Sequence, residues 1–347
     1  MAQRYLLTGA AGWLGKGTLQ ALLQGIDGAP DLGVDHAGCE VRAVDVAPLD
    51  AHATHPRVTT LQGDVTRPAD CAQWTQGFDG AVLIHTAGII HPRRVADFER
   101  INTEGTMNVL RAAADAGFSR AVIVSSNSPI GCNASRESRF DESSPYNPYM
   151  GYGRSKMLME QQALAFSRER GIPVTLIRAP WFYGPFQPPR QTLFFQMIRD
   201  GKAPIVGDGL NLRSMAYIDN LAQGLLLAAT RSTPAQSIYW IADERPYTMN
   251  EIIDTVERLL ETEFGQTCRH KRMRLPDVAS EVAWVVDKTL QSVGIYHQKI
   301  HVLSEMNKTI ACSVERARRE LGYRPTVALE EGMRRSLRWV INTYGKI

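Results

Sequence analysis

The sequence predicts an α/β protein: a doubly wound, mainly parallel sheet with a smaller C-terminal lobe. Three observations predict it. Over the first 180 residues, short apolar runs (YLLT, VRAVD, VTTLQ, AVLIHTA, AVIVSS and VTLIRA) alternate with longer amphipathic stretches. A glycine-rich turn, TGAAGWLG, follows the first run and opens a helical stretch. After Pro180 the alternation gives way to WFYGPFQPPRQ, whose aromatic, Pro and Gly content reads as a loop leaving the sheet.

The elements follow in order. Apolar spacing of three to four residues marks helices over Gly12 to Leu23, Arg100 to Ala116 and Tyr149 to Glu169. Between the first helix and second strand, residues 25–40 (GIDGAPDLGVDHAGCE) form a Gly, Asp and Pro-rich insertion, expected as a surface loop. The lobe boundary is placed at Pro180, giving residues 1–180 and 181–347, with roughly 215–242 returning to the sheet through a helix over Asp219 to Thr230 and a strand, SIYWIA. Further helices are expected near Thr192 to Arg199, Met249 to Leu260 and Val278 to Leu290, and ARRELGYRP reads as a helix stop.

Composition excludes more than it names. Apolar residues at 44% and charged residues at 22% suit a globular chain, not a disordered or fibrous one. A net charge of +3 is too slight to imply nucleic acid as a partner. The five cysteines, Cys39, Cys71, Cys132, Cys268 and Cys312, are scattered and never spaced as CxxC, so neither a metal site nor a disulfide framework is expected. The N-terminus lacks the pattern of an export signal, and no long apolar segment occurs, so a cytoplasmic protein without a membrane span is expected.

Glycines 9, 12 and 15, together with Trp13 and Leu14 between them, stand where a strand feeds a helix. There they permit a tight turn and a close approach to a pyrophosphate at the helix N-terminus, the Rossmann arrangement for a dinucleotide. That arrangement calls for an acidic residue at the end of the second strand, and Asp45 ends VRAVD. Its carboxylate suits ribose hydroxyls and repels a 2′-phosphate, so NAD is expected over NADP.

Tyr152 and Lys156 lie four apart on a predicted helix and so share a face. An ammonium beside a phenol stabilises the phenolate, making the tyrosine a usable proton exchanger. Ser125 and Ser126 end the fifth run, where a hydroxyl would face the ligand crevice and join in proton transfer.

With these residues in place, the chain resembles the extended short-chain dehydrogenase/reductase superfamily, in its NAD-dependent epimerase/dehydratase and 3β-hydroxysteroid dehydrogenase branch. The resemblance rests on TGAAGWLG, GDV at 63–65, HTAG at 85–88, NTEGT at 102–106, SSNSPIG, Y-G-R-S-K, RAPWFYGP at 178–185 and GDGLNLRSMAYIDN at 207–220. It implies that Asp64 and Val65 flank the adenine, that Thr86, Ala87, Gly88 and Asn102 line the cofactor, and that Pro180 lies near the nicotinamide. It selects Ser126 as the catalytic hydroxyl, from the spacing to Ile130 and Gly131, and implies a homodimer.

Two departures narrow the reaction. Asn127 and Ser128 stand where the dehydratase subgroup has an Asp-Glu pair, which disfavours 4,6-dehydration. Trp181 stands where many nucleotide-sugar epimerases have an asparagine. Arg213, by contrast, follows GDG at the spacing of an arginine that holds a sugar-nucleotide pyrophosphate. Ser128, Trp181 and Arg213 are therefore the candidate substrate residues, and the basic run Arg269, His270, Lys271, Arg272 and Arg274 is a further diphosphate candidate.

The leading expectation is a nucleotide-sugar epimerase working through a keto intermediate. The alternative is a dehydrogenase of steroid-like or other hydrophobic alcohols, suggested by Trp181, Phe182, Phe186, Phe194 and Phe195. A non-catalytic NAD-sensing protein is the third, and such proteins usually lack the tyrosine or lysine.

Overall fold

A computed structural model describes residues 2–50, 53–345 and 347. Within them, β1 (Arg4–Thr8), α1 (Trp13–Gln24), β2 (Glu40–Asp45), β3 (Val58–Gln62), α2 (Pro68–Thr75) and β4 (Val82–His85) form the first half of the wound sheet. The chain continues through a short helical turn, α3 (Ala96–Phe98), a π-helical segment at Glu99–Gly105, α4 (Thr106–Asp115), β5 (Arg120–Ser126), α5 (Met150–Arg170) and β6 (Val174–Ala179). All six expected runs are strands.

The second part comprises β7 (Trp181–Tyr183), α6 (Pro189–Arg199), β8 (Pro204–Val206), β9 (Leu212–Arg213), β10 (Met215–Tyr217), α7 (Ile218–Thr230) and β11 (Gln236–Trp240). It ends with β12 (Tyr247–Thr248), α8 (Met249–Thr262), β13 (Met273–Leu275), α9 (Asp277–Ser292), α10 (Gln298–Glu305), α11 (Glu315–Leu321) and α12 (Leu329–Tyr344). The Leu-Gly-Tyr stop is real: α11 closes on Gly322, whose φ of 71° is left-handed.

Among the described residues the main sheet has seven strands in the order β11-β6-β5-β4-β1-β2-β3, and all its pairings are parallel. Alternation along β1 sends Leu7 to one face and Leu6 to the other, each into its own core cluster. Helices α1 and α7 pack together on the Leu7 side, and α4 and α5 on the Leu6 side. The chain runs outward from β1 to β3 and then returns to β4 on the other side of β1. That reversal opens a crevice at the carboxyl ends of β1 and β4.

The insertion at 25–40 is tied down more firmly than a surface loop. Leu32 and Cys39 are buried, and the Leu32 carbonyl accepts from the Thr230 hydroxyl at 2.6 Å. Its apolar residues fill the end of the α1–α7 layer, a role that the Gly and Asp content obscured.

Candidate active site

The crevice is walled by the strand ends and glycine loops. Gly9 has φ +74°, and a Cβ there would stand 2.6 Å from the Ala87 main-chain nitrogen; one on Gly15 would stand 2.0 Å from the Gly9 carbonyl oxygen. The β1 turn and the Thr86-Ala87-Gly88 segment after β4 therefore meet backbone to backbone. Gly12 caps α1 without a side-chain hydrogen bond, and no acidic residue stands in the first turn. That helix end offers unspent N–H groups to an anion. Asp45 lies across the loop, where its Oδ2 accepts from Ala11 N at 3.0 Å and its Oδ1 from Ala47 N at 2.9 Å. The loop and carboxylate thus fit a dinucleotide. Trp13 points away from this cradle, donating to the Pro185 carbonyl at 2.6 Å and lying against Phe182 with ring centroids 4.8 Å apart. Leu14 is buried in the core beneath it.

Of the remaining expected cofactor residues, Asp64, Val65, Thr86 and Pro180 follow the carboxyl ends of β3, β4 and β6. The Thr86 hydroxyl donates to the Thr8 carbonyl at 2.7 Å. Asn102, on the π-helical turn, clamps Ile89: its Oδ1 accepts from Ile89 N at 2.8 Å and its Nδ2 donates to Ile89 O at 3.0 Å. Asp64 and Val65 follow β3; the Asp64 amide is held by Asp70 at 2.8 Å, and Val65 is packed over Gly105. Pro180 is buried between β6 and β7.

Tyr152 and Lys156 emerge from the first turns of α5. Lys156 is buried, and its Nζ donates to the Val124 carbonyl of β5 at 3.0 Å. Burial lowers its pKa to about 8, against the opposing effect of Glu160. Burial pushes the Tyr152 phenol up to about 12; the Ser126 hydroxyl, which hydrogen-bonds it, pulls the other way, and Glu305 adds to the rise. Ser126 also donates to Ser128 Oγ at 3.3 Å. Ser126 and Tyr152 therefore meet, and Lys156 lies one helical turn further along α5, against the end of β5. Ser125 does not join them: its hydroxyl turns to Glu160 at 2.5 Å.

Two structural supports were missed. Glu160, fully buried one turn beyond Lys156, accepts from Arg178 Nη2 at 2.7 Å, Arg178 Nε at 3.1 Å and the Tyr146 hydroxyl at 2.9 Å. The four-residue spacing Tyr152, Lys156, Glu160 was the available signal. The second is a polar wall from the C-terminal part. The Tyr149 and Ser304 hydroxyls are 2.7 Å apart, His301 Nδ1 and Asp287 Oδ2 are 2.7 Å apart, and His91 Nδ1 lies 2.6 Å from the Tyr296 hydroxyl. Gly151 N donates to Gln291 Oε1 at 3.0 Å, joining α9 to the start of α5. No short-range pattern connects residues this far apart.

The candidate substrate residues are differently employed. Ser128 is buried beside Ser126, and its carbonyl accepts from Tyr149 N at 2.9 Å. Trp181 stacks edge-on to Phe194, with centroids 5.6 Å apart. The Arg213 guanidinium donates to the Glu305 carbonyl. Two of the five residues of the basic run are paired within the protein: Arg272 meets Asp254 and Glu257, and His270 meets Glu261. Among the described residues no group of His, Cys, Asp or Glu is arranged to hold a metal ion, and no helix is long and apolar enough to cross a membrane.

Residues 5–242 match the family model described as the NAD dependent epimerase/dehydratase family. The chain belongs to that family. It is 52% identical to an uncharacterized protein, y4nL, of Sinorhizobium fredii, over 97% of this chain and 94% of the relative. It is 28% identical to a 3-beta-hydroxysteroid dehydrogenase of Mycolicibacterium neoaurum, over 95% of this chain and 89% of that one. The dTDP-glucose 4,6-dehydratase DesIV of Streptomyces venezuelae, solved with NAD bound, superposes with a TM-score of 0.77 at 28% identity, covering 99% of this chain and 98% of that one. The protein is thus an NAD-dependent enzyme of the extended short-chain dehydrogenase/reductase type.

Proposed function

We propose that this family member is a nucleotide-sugar epimerase acting through a transient keto intermediate. The observation that carries the reading is the polar wall facing Tyr152. Tyr149, Tyr296 and His301 already have protein partners and make this wall polar, and beside them the Glu305 carboxylate is an acceptor that a polyhydroxylated ring would satisfy and an apolar alcohol would leave unsatisfied. Asn127 and Ser128 after Ser126 provide no acid-base pair for dehydration. Of the aromatic residues suggesting a hydrophobic substrate, Phe195 is buried, while Trp181 and Phe194 pack on each other.

In this reading Gly9, Gly12 and Gly15 admit the pyrophosphate to the start of α1, and Asp45 takes the adenosine ribose. NAD, when bound, supplies the hydride acceptor. The Tyr152 phenolate oxygen removes the proton from the substrate hydroxyl, Ser126 holds that oxygen, and Lys156 stabilises the phenolate. The keto group then presents its other face for reduction, and Tyr152 returns the proton. Arg213 contributes less to pyrophosphate binding than its spacing suggested, because its guanidinium is engaged by Glu305 O.

Incubation of the NAD-loaded enzyme with UDP, GDP and dTDP hexoses tests the reading. An epimerised sugar with no net NADH supports it; no epimerised product across the panel rejects it. The second reading, a hydrophobic alcohol dehydrogenase, draws on the steroid dehydrogenase relative. It would give NADH in step with oxidised steroid.

A further inference from the structure

Glu305 ends α10, and its backbone is fixed from several directions. Arg213 donates to its carbonyl oxygen, Ser280 Oγ donates to the Ser304 carbonyl at 2.9 Å, and Asn211 Nδ2 donates to the Met306 carbonyl at 3.0 Å. The Ser304 hydroxyl meets that of Tyr149, three residues before Tyr152. This framework holds the half-buried Glu305 side chain against the wall of the catalytic crevice.

The carboxylate itself has no hydrogen bond or ion pair among the described residues, although its surroundings are strongly polar. It lies close enough to Tyr152, Tyr149, Tyr296 and His301 to raise the pKa of each. The polar groups around it are committed elsewhere. Tyr149 is matched by Ser304, Tyr296 by His91, and the Nδ1 of His301 by Asp287. Two nearby cations are spent, Arg213 on the main chain and Lys308 on Glu281, while Arg190 stands on the side of Tyr296 and His91. A substrate covering this carboxylate strips its water, which is costly unless the substrate brings a donor. A second carboxylate brought beside it would be repelled.

Building on the nucleotide-sugar reading, we propose that Glu305 is a specificity-determining residue: it accepts a hydrogen bond from a sugar hydroxyl near the reacting carbon and excludes sugars that carry a carboxylate there.

Glu305→Gln and Glu305→Ala test this, with UDP-glucose, UDP-glucuronate and a 3β-hydroxysteroid as probes. NAD loading, read from bound-cofactor absorbance, should be unchanged in both variants. Wild type should favour UDP-glucose over UDP-glucuronate in kcat/KM by about a hundredfold. Gln keeps an acceptor but loses the charge, so that ratio should fall at least tenfold, while Ala should raise KM for UDP-glucose by about tenfold. UDP-sugar turnover with the same ratio in wild type and Gln overturns this inference and leaves the epimerase reading standing. Oxidation of the steroid without turnover of either sugar overturns both; no turnover of any probe overturns this inference for UDP-sugars and leaves the epimerase reading to the GDP and dTDP panel.

Discussion

Lys156 donates from Nζ to the Val124 carbonyl oxygen at 3.0 Å, and a Cβ on Gly88 would stand 3.5 Å from the same nitrogen. The ammonium is thereby pinned between β5 and the loop after β4, one helical turn from Tyr152, with two protons left for other partners.

The first prediction concerns pH. In the proposed reaction, removal of a substrate proton needs the Tyr152 phenolate, so the oxidative half-reaction should quicken as pH rises, and the reductive half-reaction should slow. In the cofactor-free protein burial holds the phenol near about 12. In the proposed reaction the Lys156 ammonium and the nicotinamide cation, when bound, would bring it down. Lys156→Met removes one of those charges, and the rising limb of kcat/KM for oxidation should move upward by about one to two pH units, since each unit reflects about 1.4 kcal/mol of interaction. A pH-rate profile checks this, and Tyr152→Phe should lose turnover by about a hundredfold or more while retaining NAD binding.

Asp45 accepts from the amides of both Ala11 and Ala47, so it serves the loop as well as the expected ribose contact. Asp45→Ala should therefore weaken NAD binding by about tenfold while weakening NADP binding less, because the charge opposing a 2′-phosphate has gone. Parallel titrations with the two cofactors measure the change. An unaltered preference would remove Asp45 from the role of discriminator.

The sheet, the glycine turn and the Tyr152–Lys156 pair were legible because each is written in local sequence: short apolar runs, a turn between strand and helix, and residues four apart on one face. The polar wall was not. His301, Glu305 and Tyr296 reach the crevice because α9 packs on α5 and α10 packs on α9, tertiary contacts that leave no periodic trace around Tyr152. Arg213 shows the opposite limit, since spacing placed it near the site but could not foresee that a main-chain oxygen would occupy its guanidinium. Helix bounds moved by one to three residues, and the π-helical turn carrying Asn102 lies inside what apolar spacing read as one continuous helix.

Glu160 and Arg178 form a buried ion pair with side chains 0% and 2% exposed. Glu160→Ala would leave a buried guanidinium without its carboxylate, a loss of about 3–5 kcal/mol. Chemical denaturation should register it. Glu160→Gln retains the shape and some hydrogen bonds, so it should cost less. Because Glu160 also opposes the lowering of the Lys156 pKa, the Gln variant should hold its Lys156 proton less tightly, narrowing the pH range of activity from the alkaline side.

His85 closes the set of predictions, and its effect runs in acid. It is fully buried at the end of β4, with Nδ1 2.7 Å from the Thr8 hydroxyl and Nε2 2.9 Å from the Thr106 hydroxyl. It thus links β1 and α4. Burial, assisted by the Lys156 charge, lowers its pKa to about 3. The unfolded chain, with an ordinary histidine pKa of about 6.5, binds a proton that the folded chain refuses between those values. Protons therefore favour the unfolded state, and the stability due to His85 is full above about pH 6.5 and falls as pH drops toward 3, by about 1.4 kcal/mol per unit. His85→Gln keeps a donor and an acceptor without the titration. Its stability at pH 8 should be somewhat below that of the wild type, but its loss between pH 6.5 and 4.5 should be shallower by about 2–3 kcal/mol in urea unfolding. Parallel slopes in the two proteins would mean that other groups govern the acid limb.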